Sequence, residues 1–188
     1  MPSSIDRLYP TFLRLSGRAV LLVGGGRVAA SKLPALREAG ARVTVVAPEV
    51  RAELERPGVE IARREFEAAD LDGRWFAVAA ATPEVNRAVA AAAEARRIFV
   101  NAVDDTSAAS AYLGGVVRKG GVTLAISTDG RAPALAGLLR EALDAVLPNE
   151  LGEWVSAAER LRARWRADSV PMGERRPLLL RALEEIYR

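Results

Sequence analysis

The chain has 188 residues, half of them hydrophobic, with 27 Lys+Arg against 24 Asp+Glu and a formal net charge of +3. That suffices for one sizeable core plus a smaller appendage. With no apolar run of membrane-spanning length and no charged-then-apolar leader at Met1-Pro2-Ser3-Ser4-Ile5-Asp6-Arg7, it points to a soluble cytoplasmic protein. Cysteine and histidine do not occur, which excludes disulfides, thiolate catalysis, Fe–S clusters and His- or Cys-based metal sites and leaves acid–base work to carboxylates, hydroxyls or the substrate.

A buried strand over 18–23 runs into Val23-Gly24-Gly25-Gly26-Arg27-Val28-Ala29, followed by a helix over 28–39 and a second strand over 41–47. This is the build of a dinucleotide-binding βαβ unit. Gly24 permits the tight turn, Gly26 lets the backbone approach a pyrophosphate, and Ala29 is small enough for the helix to pack on the strand. The helix start then aims its free N–H groups and positive dipole end at the phosphates. A glycine turn can also merely close a strand–helix unit; the second strand at βαβ distance favours the dinucleotide reading. Pro34 stands inside this helix, where it costs a hydrogen bond and should bend it.

A short strand follows over 59–64, then an apolar run over 75–82 of the kind found in parallel sheets buried on both faces. An alanine-rich helix over 83–96 and a strand over 98–103 complete an α/β, Rossmann-like, doubly wound parallel sheet ending near residue 110. Strands over 112–117 and 122–127 are expected to form a hairpin around Arg118-Lys119-Gly120-Gly121. From Pro133 the chain reads helical, with Leu135, Leu138, Leu139, Leu143 and Leu147 along one face. Breaks at Pro148-Asn149 and Pro171-Met172-Gly173 leave helices over 151–167 and 173–187, whose leucine stripes read as core or dimer packing. The expected divisions are 1–110, a dinucleotide-binding domain, 111–148, and a helical 149–188.

Ligands of open parallel sheets bind beyond the carboxyl ends of the strands. Four segments qualify besides ordinary turns. The glycine turn is the first. At the end of the second strand, Pro48 and Glu49 supply a pocket wall or a ribose partner; with Arg51 the only nearby cation for a 2′-phosphate, NAD is favoured over NADP. Ala80-Ala81-Thr82 suits a nicotinamide ribose, while the Thr82 hydroxyl before Pro83 equally suits a helix N-cap. Asn101-Ala102-Val103-Asp104-Asp105 places two carboxylates after a buried strand: turn formers by default, yet Asp104 is the best general-base or metal-ligand candidate in a chain without histidine. Downstream, Ser127-Thr128-Asp129-Gly130 before Pro133 reads either as an anion-binding nest using the Ser127 and Thr128 hydroxyls or as ordinary capping. No metal site is assigned.

Lysine occurs only at Lys32 and Lys119, so the cations are almost all arginine. Arginine suits a polyanionic ligand, and genome composition or heat adaptation produces the same bias. Nothing points to nucleic acid: there is no aromatic stacking cluster and no known binding motif.

The ordered series Tyr9-Pro10, Val23 through Lys32, Glu38-Ala39-Gly40-Ala41, Val45-Val46-Ala47-Pro48, Ala80-Ala81-Thr82 with Asn86, Asn101-Ala102-Val103-Asp104, Ala125 through Ala136 and Met172-Gly173-Glu174-Arg175-Arg176 covers nearly the whole chain. It resembles the precorrin-2 dehydrogenase and sirohydrochlorin ferrochelatase family, the N-terminal half of bacterial sirohaem synthases and a stand-alone protein elsewhere. The resemblance implies a homodimer with a Rossmann domain, a swapped dimerisation segment over 111–148 and a helical C-terminal domain. It implies NAD-dependent oxidation of precorrin-2 to sirohydrochlorin, followed in some members by Fe²⁺ insertion. The tetrapyrrole is a polycarboxylate, consistent with the arginine bias. By resemblance Arg27, Val28, Pro48 and Glu49 line the NAD site with the glycines, Asp104 matches an essential aspartate, and Thr128 falls where a serine borders the substrate cavity. Ala111, Gly114 and Asp129 depart from the pattern, replacing an aromatic, a proline and a glycine; they leave the NAD reading intact and metal insertion open. Two rival readings stay in view: a non-catalytic NAD-sensing module, and an arginine-rich nucleic-acid binder using helices 151–187.

Overall fold

The structure is a computed structural model that describes residues 8–187; the segment on which the absence of a leader was read lies outside them. The chain divides into two compact units, Met1–Leu113 and Gly114–Arg188.

The first unit carries a five-stranded sheet in the order β3-β2-β1-β4-β5, where β1 is Ala19–Val23, β2 Arg42–Val46, β3 Glu60–Ala62, β4 Phe76–Ala79 and β5 Phe99–Ala102. All four pairings are parallel, with Val23 opposite Val46 on one side and Ala79 on the other. Helix α1 (Arg27–Glu38) links β1 to β2 and α2 (Pro83–Glu94) links β4 to β5. Alternation along the strands divides the core in two. Val20, Leu22, Val43, Val45, Phe76 and Val78 meet Leu33 and Leu36 of α1. Leu21, Val23, Val46, Ala77, Ala79 and Val100 meet Val89 and Ala93 of α2 on the opposite face. Near-complete burial of Leu33 and Leu36 stabilises by about 2 kcal/mol each, which outweighs the poor helical fit of Pro34. Pro34 lies in the helix interior but on the solvent side, where its lost backbone partner can be hydrated.

The chain leaves this sheet later than the residue pattern suggests. Ser110 and Ala111 both donate backbone N–H to the Val100 carbonyl, at 3.0 Å each, and the Asn101 amide donates to the Ala111 carbonyl at 2.9 Å. That clasp covers part of the edge strand β5 and holds 110–111 outside the following hairpin.

In the second unit, β6 (Gly115–Lys119) pairs antiparallel with β7 (Val122–Ile126), Lys119 opposite Val122. The strand expected over 112–117 thus begins three residues later and includes Arg118 and Lys119, which were read as turn. The reason is local: Gly120 and Gly121 alone take the left-handed backbone, φ +56° and +82°, that a two-residue hairpin turn requires. Helix α3 (Pro133–Val146) packs on β6, and Lys119 Nζ donates to the Leu147 carbonyl at 2.7 Å, satisfying the helix end. On this helix Ala136 is buried, while Leu135 is 48%, Leu138 62% and Val146 80% exposed. Helices α4 (Leu151–Ala167) and α5 (Met172–Glu184) complete the unit, and Trp154 meets Tyr187 edge-to-face at 6.2 Å.

Candidate functional site

Strand order reverses between β1 and β4, and the loops beyond their carboxyl ends form the candidate site. Gly24 closes β1 with φ +122° and donates to the Val46 carbonyl at 2.9 Å. A Cβ on Gly24 would collide with the Ala80 carbonyl at the end of β4, so only glycine lets the two strand ends approach this closely. Gly25 faces the other way, where a Cβ would overlap the carbonyl of Glu49. Gly26 differs from both: a Cβ there would meet nothing within 4 Å. It faces open space at the helix N-cap, the place where a phosphate must come close.

Gly26 caps α1 without a side-chain hydrogen bond, and no acidic residue occupies the first turn. The first intrahelical bond runs from Ala30 N–H to the Gly26 carbonyl at 3.0 Å. The N–H groups ahead of it are therefore available to an anion, reinforced by the helix dipole. A cleft of about 320 Å³ opens at this point, lined by Gly25, Gly26, Arg27, Glu49, Val50 and Arg51. The exposed glycine, free helix N–H groups and arginines fit a dinucleotide pyrophosphate.

The cleft brings together five residues named in the sequence, Gly25, Gly26, Arg27, Glu49 and Arg51, and adds Val50. Gly24, Val28, Pro48 and Thr82 stand outside its lining; Gly24 is buried, whereas Val28, Pro48 and Thr82 are exposed. Arg51 N–H donates to the Gly25 carbonyl at 3.0 Å, tying the second wall to the first. Its guanidinium donates to Glu53 at 2.8 Å, a bond that raises the arginine's pKa and holds the Glu53 carboxyl below its ordinary value. Thr82 caps α2, its hydroxyl accepting from Val85 N–H at 3.4 Å, with Pro83 in the first turn. Hydrogen bonding, to its own backbone first and then to Thr82, holds the Glu84 carboxyl down.

Asp104 follows β5 at the same carboxyl edge of the sheet. It is exposed and holds φ +60°, a left-handed conformation that is uncommon outside glycine and clusters at functional sites. The neighbouring carboxylates differ in task. Asp105 accepts from the Ser107 hydroxyl at 2.6 Å and from the N–H groups of Ser107 and Ala108, bonds that depress its pKa, the hydroxyl foremost. Asp105 is the turn former, and Asp104 takes no part in those bonds. Among the described residues no three His, Cys, Asp or Glu side chains gather as a metal-holding group, and no helix is long and apolar enough to cross a membrane.

In the second unit, Ser127 Oγ accepts from Asp129 N–H at 3.0 Å and Thr128 Oγ1 from Ala132 N–H at 3.2 Å. Both hydroxyls hold the turn into α3 and keep their own protons for a further acceptor. Local geometry bears on two of the three departures noted in the sequence. Asp129 has φ +55°, which explains why glycine suits that position. A Cβ on Gly114 would collide with the Ile126 carbonyl.

A family model described as "Putative NAD(P)-binding" matches residues 11–115, the span from just before β1 to the start of β6. The chain belongs to this NAD(P)-binding family. That description agrees with a nicotinamide dinucleotide as the cofactor. The NAD(P)-binding chain is also similar to Siroheme synthase 3 of Aeromonas hydrophila subsp. hydrophila, 44% identical over 172 residues, or 89% of this chain and 37% of that protein. It is likewise 44% identical to Siroheme synthase 1 of Aeromonas salmonicida over 179 residues, 93% of this chain and 38% of that protein. The chain therefore spans well under half the length of these curated relatives. Among solved structures, "SirC, precorrin-2 dehydrogenase" superposes with a TM-score of 0.70 at 27% identity, covering 93% of this chain and 88% of that one.

Proposed function

We propose that this chain oxidises precorrin-2 to sirohydrochlorin with NAD⁺, Asp104 serving as the general base. The observation that carries the reading is the placement of a left-handed, exposed aspartate at the end of β5, on the sheet edge where β1 opens into the dinucleotide cleft. Likeness over nearly the full length of both chains to a precorrin-2 dehydrogenase supports it.

NAD⁺, when bound, supplies a two-electron acceptor. The free N–H groups at the start of α1 and the Arg27 guanidinium neutralise its pyrophosphate, and Gly26 leaves room for it. Glu49 and Val50 would wall the adenosine side, and the turn at Ala80 and Thr82, beyond β4 on the other side of β1, would border the nicotinamide side. Oxidation removes two hydrogens from the tetrapyrrole. One would be taken up with its electron pair by that acceptor; the other leaves as a proton that the Asp104 carboxylate accepts and passes to solvent. Within the second unit, the Ser127 and Thr128 hydroxyls keep protons that suit an anionic acceptor such as a carboxylate. Arg51, engaged by Glu53, favours NAD⁺ over NADP⁺. The working form is a homodimer, with residues 111–148 as the dimerisation segment; the exposed apolar side of α3, at Leu135, Leu138 and Val146, supports this.

The test is anaerobic incubation with precorrin-2 and NAD⁺, followed by NADH absorbance and the tetrapyrrole spectrum, with Fe²⁺ added afterwards. NADH formation matched by sirohydrochlorin is expected, together with its loss in Asp104→Asn. Bound NAD⁺ without turnover would favour a non-catalytic cofactor-sensing module, and full activity in Asp104→Asn would remove the general base. Metal insertion faster than the spontaneous rate would add a ferrochelatase step.

A further inference from the structure

Asn86 is a polar side chain buried inside the first unit, only 4% exposed, near the amino end of α2. Its two amide functions are both used, on two different strand ends. The Oδ1 accepts from Ala81 N–H at 2.9 Å, just past β4, and the Nδ2 donates to the Val103 carbonyl at 3.3 Å, just past β5. Val103 is thereby held from both sides, because its own N–H donates to the Ala79 carbonyl at 2.9 Å. The next residue is Asp104, whose φ of +60° a non-glycine residue keeps only when its surroundings enforce it.

We propose that Asn86 is a positioning residue that locks the Asp104 carboxylate relative to the cofactor side of the site, an inference that rests on the catalytic reading of Asp104. The geometry does what an asparagine alone does well at this spot: one planar amide offers an acceptor to one strand end and a donor to the other. The carboxamide keeps the β4 loop, which borders the nicotinamide side, in register with the β5 loop, which carries the base. A displacement near 1 Å of a reacting group can cost about 100-fold in rate, so this tie acts on turnover rather than on cofactor affinity.

Asn86→Asp separates the two halves, since it keeps an oxygen for Ala81 N–H and replaces the donor to Val103 by a second oxygen. Asn86→Ser is the neutral counterpart, too short to reach the Val103 carbonyl, and guards against misfolding caused by a buried charge. For each variant with a cooperative thermal transition, three quantities are read: NAD⁺ affinity by calorimetry, kcat with NAD⁺ and precorrin-2 both saturating, and amide exchange of the 99–112 segment in the cofactor-free protein. The expected result is a kcat lowered about 10- to 100-fold that added NAD⁺ does not restore. NAD⁺ affinity in Asn86→Asp should stay within about twofold, and exchange around Asp104 should quicken at least about tenfold. A saturated kcat within about twofold of the unaltered protein, unchanged exchange, or a loss cured by raising NAD⁺ would overturn the proposal. If the unaltered protein binds NAD⁺ but leaves precorrin-2 untouched, the catalytic reading fails first; variants failing to lower an observed kcat refute the positioning role alone.

Discussion

The carbonyl of Glu49 occupies the space into which a side chain on Gly25 would project, so the turn after β1 and the loop after β2 meet backbone to backbone. Its neighbour Gly26 has open space on its Cβ side. Alanine at these adjacent positions should therefore have different effects. Gly25→Ala must part the two walls of the cleft and should cost about 1–3 kcal/mol of stability as well as NAD⁺ binding. Gly26→Ala should leave the melting temperature within about 2 °C and still weaken NAD⁺ at least about tenfold, by filling the approach to the pyrophosphate. Thermal melts paired with calorimetric titration of NAD⁺ separate the two.

Arg51 and Glu53 form a 2.8 Å ion pair in which both side chains are about half exposed. The pair adds little to stability, being screened by solvent, and its consequence lies in the cleft that Arg51 lines. Glu53→Gln releases the guanidinium, and affinity for NADP⁺ should rise about fivefold while that for NAD⁺ changes by less than about twofold. Equal responses to the two cofactors would show that Arg51 does not reach the 2′-position.

Pro34 stands in α1 with its ring toward solvent and with Leu33 and Leu36 buried beside it. Pro34→Ala should restore the missing bond to the Ala30 carbonyl and raise stability by about 1–2 kcal/mol, the gain in the helix being partly offset by a freer unfolded chain. Chemical denaturation reads this directly; an unchanged midpoint would mean that the hydrated Ala30 carbonyl is as well satisfied as a bonded one.

Asp70 accepts from the Arg64 guanidinium and from Glu67 N–H, the latter at 2.9 Å. The arginine bond is the main cause that holds its carboxyl below the ordinary aspartate range. A depressed carboxylate contributes stability that is present above the unfolded-state pKa and lost as pH falls through the folded-state value. Asp70→Asn should therefore cost about 1 kcal/mol at pH 7, and the difference from the unaltered protein should shrink below about pH 4. Urea midpoints at the two pH values test it, and a gap that persists in acid would assign the effect to packing.

The strand–helix alternation was legible because each element of the first unit carries a strong local signal. Apolar strands buried on both faces, Thr82-Pro83 at a helix start and the glycine turn all act within a few residues. The hairpin was misplaced at its entry because Ala111 and Tyr112 look like strand residues, yet Ala111 is bonded to the edge of the first sheet by partners ten and more residues back. The leucines of α3 were legible only as sharing one face, because periodicity reports which residues share a side of a helix and not what that side meets. In the site, Gly26 and Glu49 were visible from position alone, whereas Arg27 and Asn86 showed themselves only as part of a resemblance. A buried asparagine in a helix carries no chemical signal until its two partners are known.

The sequence by itself determined the parallel α/β frame, the dinucleotide turn and the choice of carboxylates as the available bases, since these follow from short-range patterns and from residues that do not occur. Tertiary structure decided which glycine faces open space and which faces the backbone, that Arg51 spends its charge on Glu53, and that Asp105 makes the turn while Asp104 stays outside its bonds. Those distinctions depend on what lies across from each residue in space. Contacts between the ends of β1, β2, β4 and β5 join positions far apart in the chain, and no local pattern encodes them.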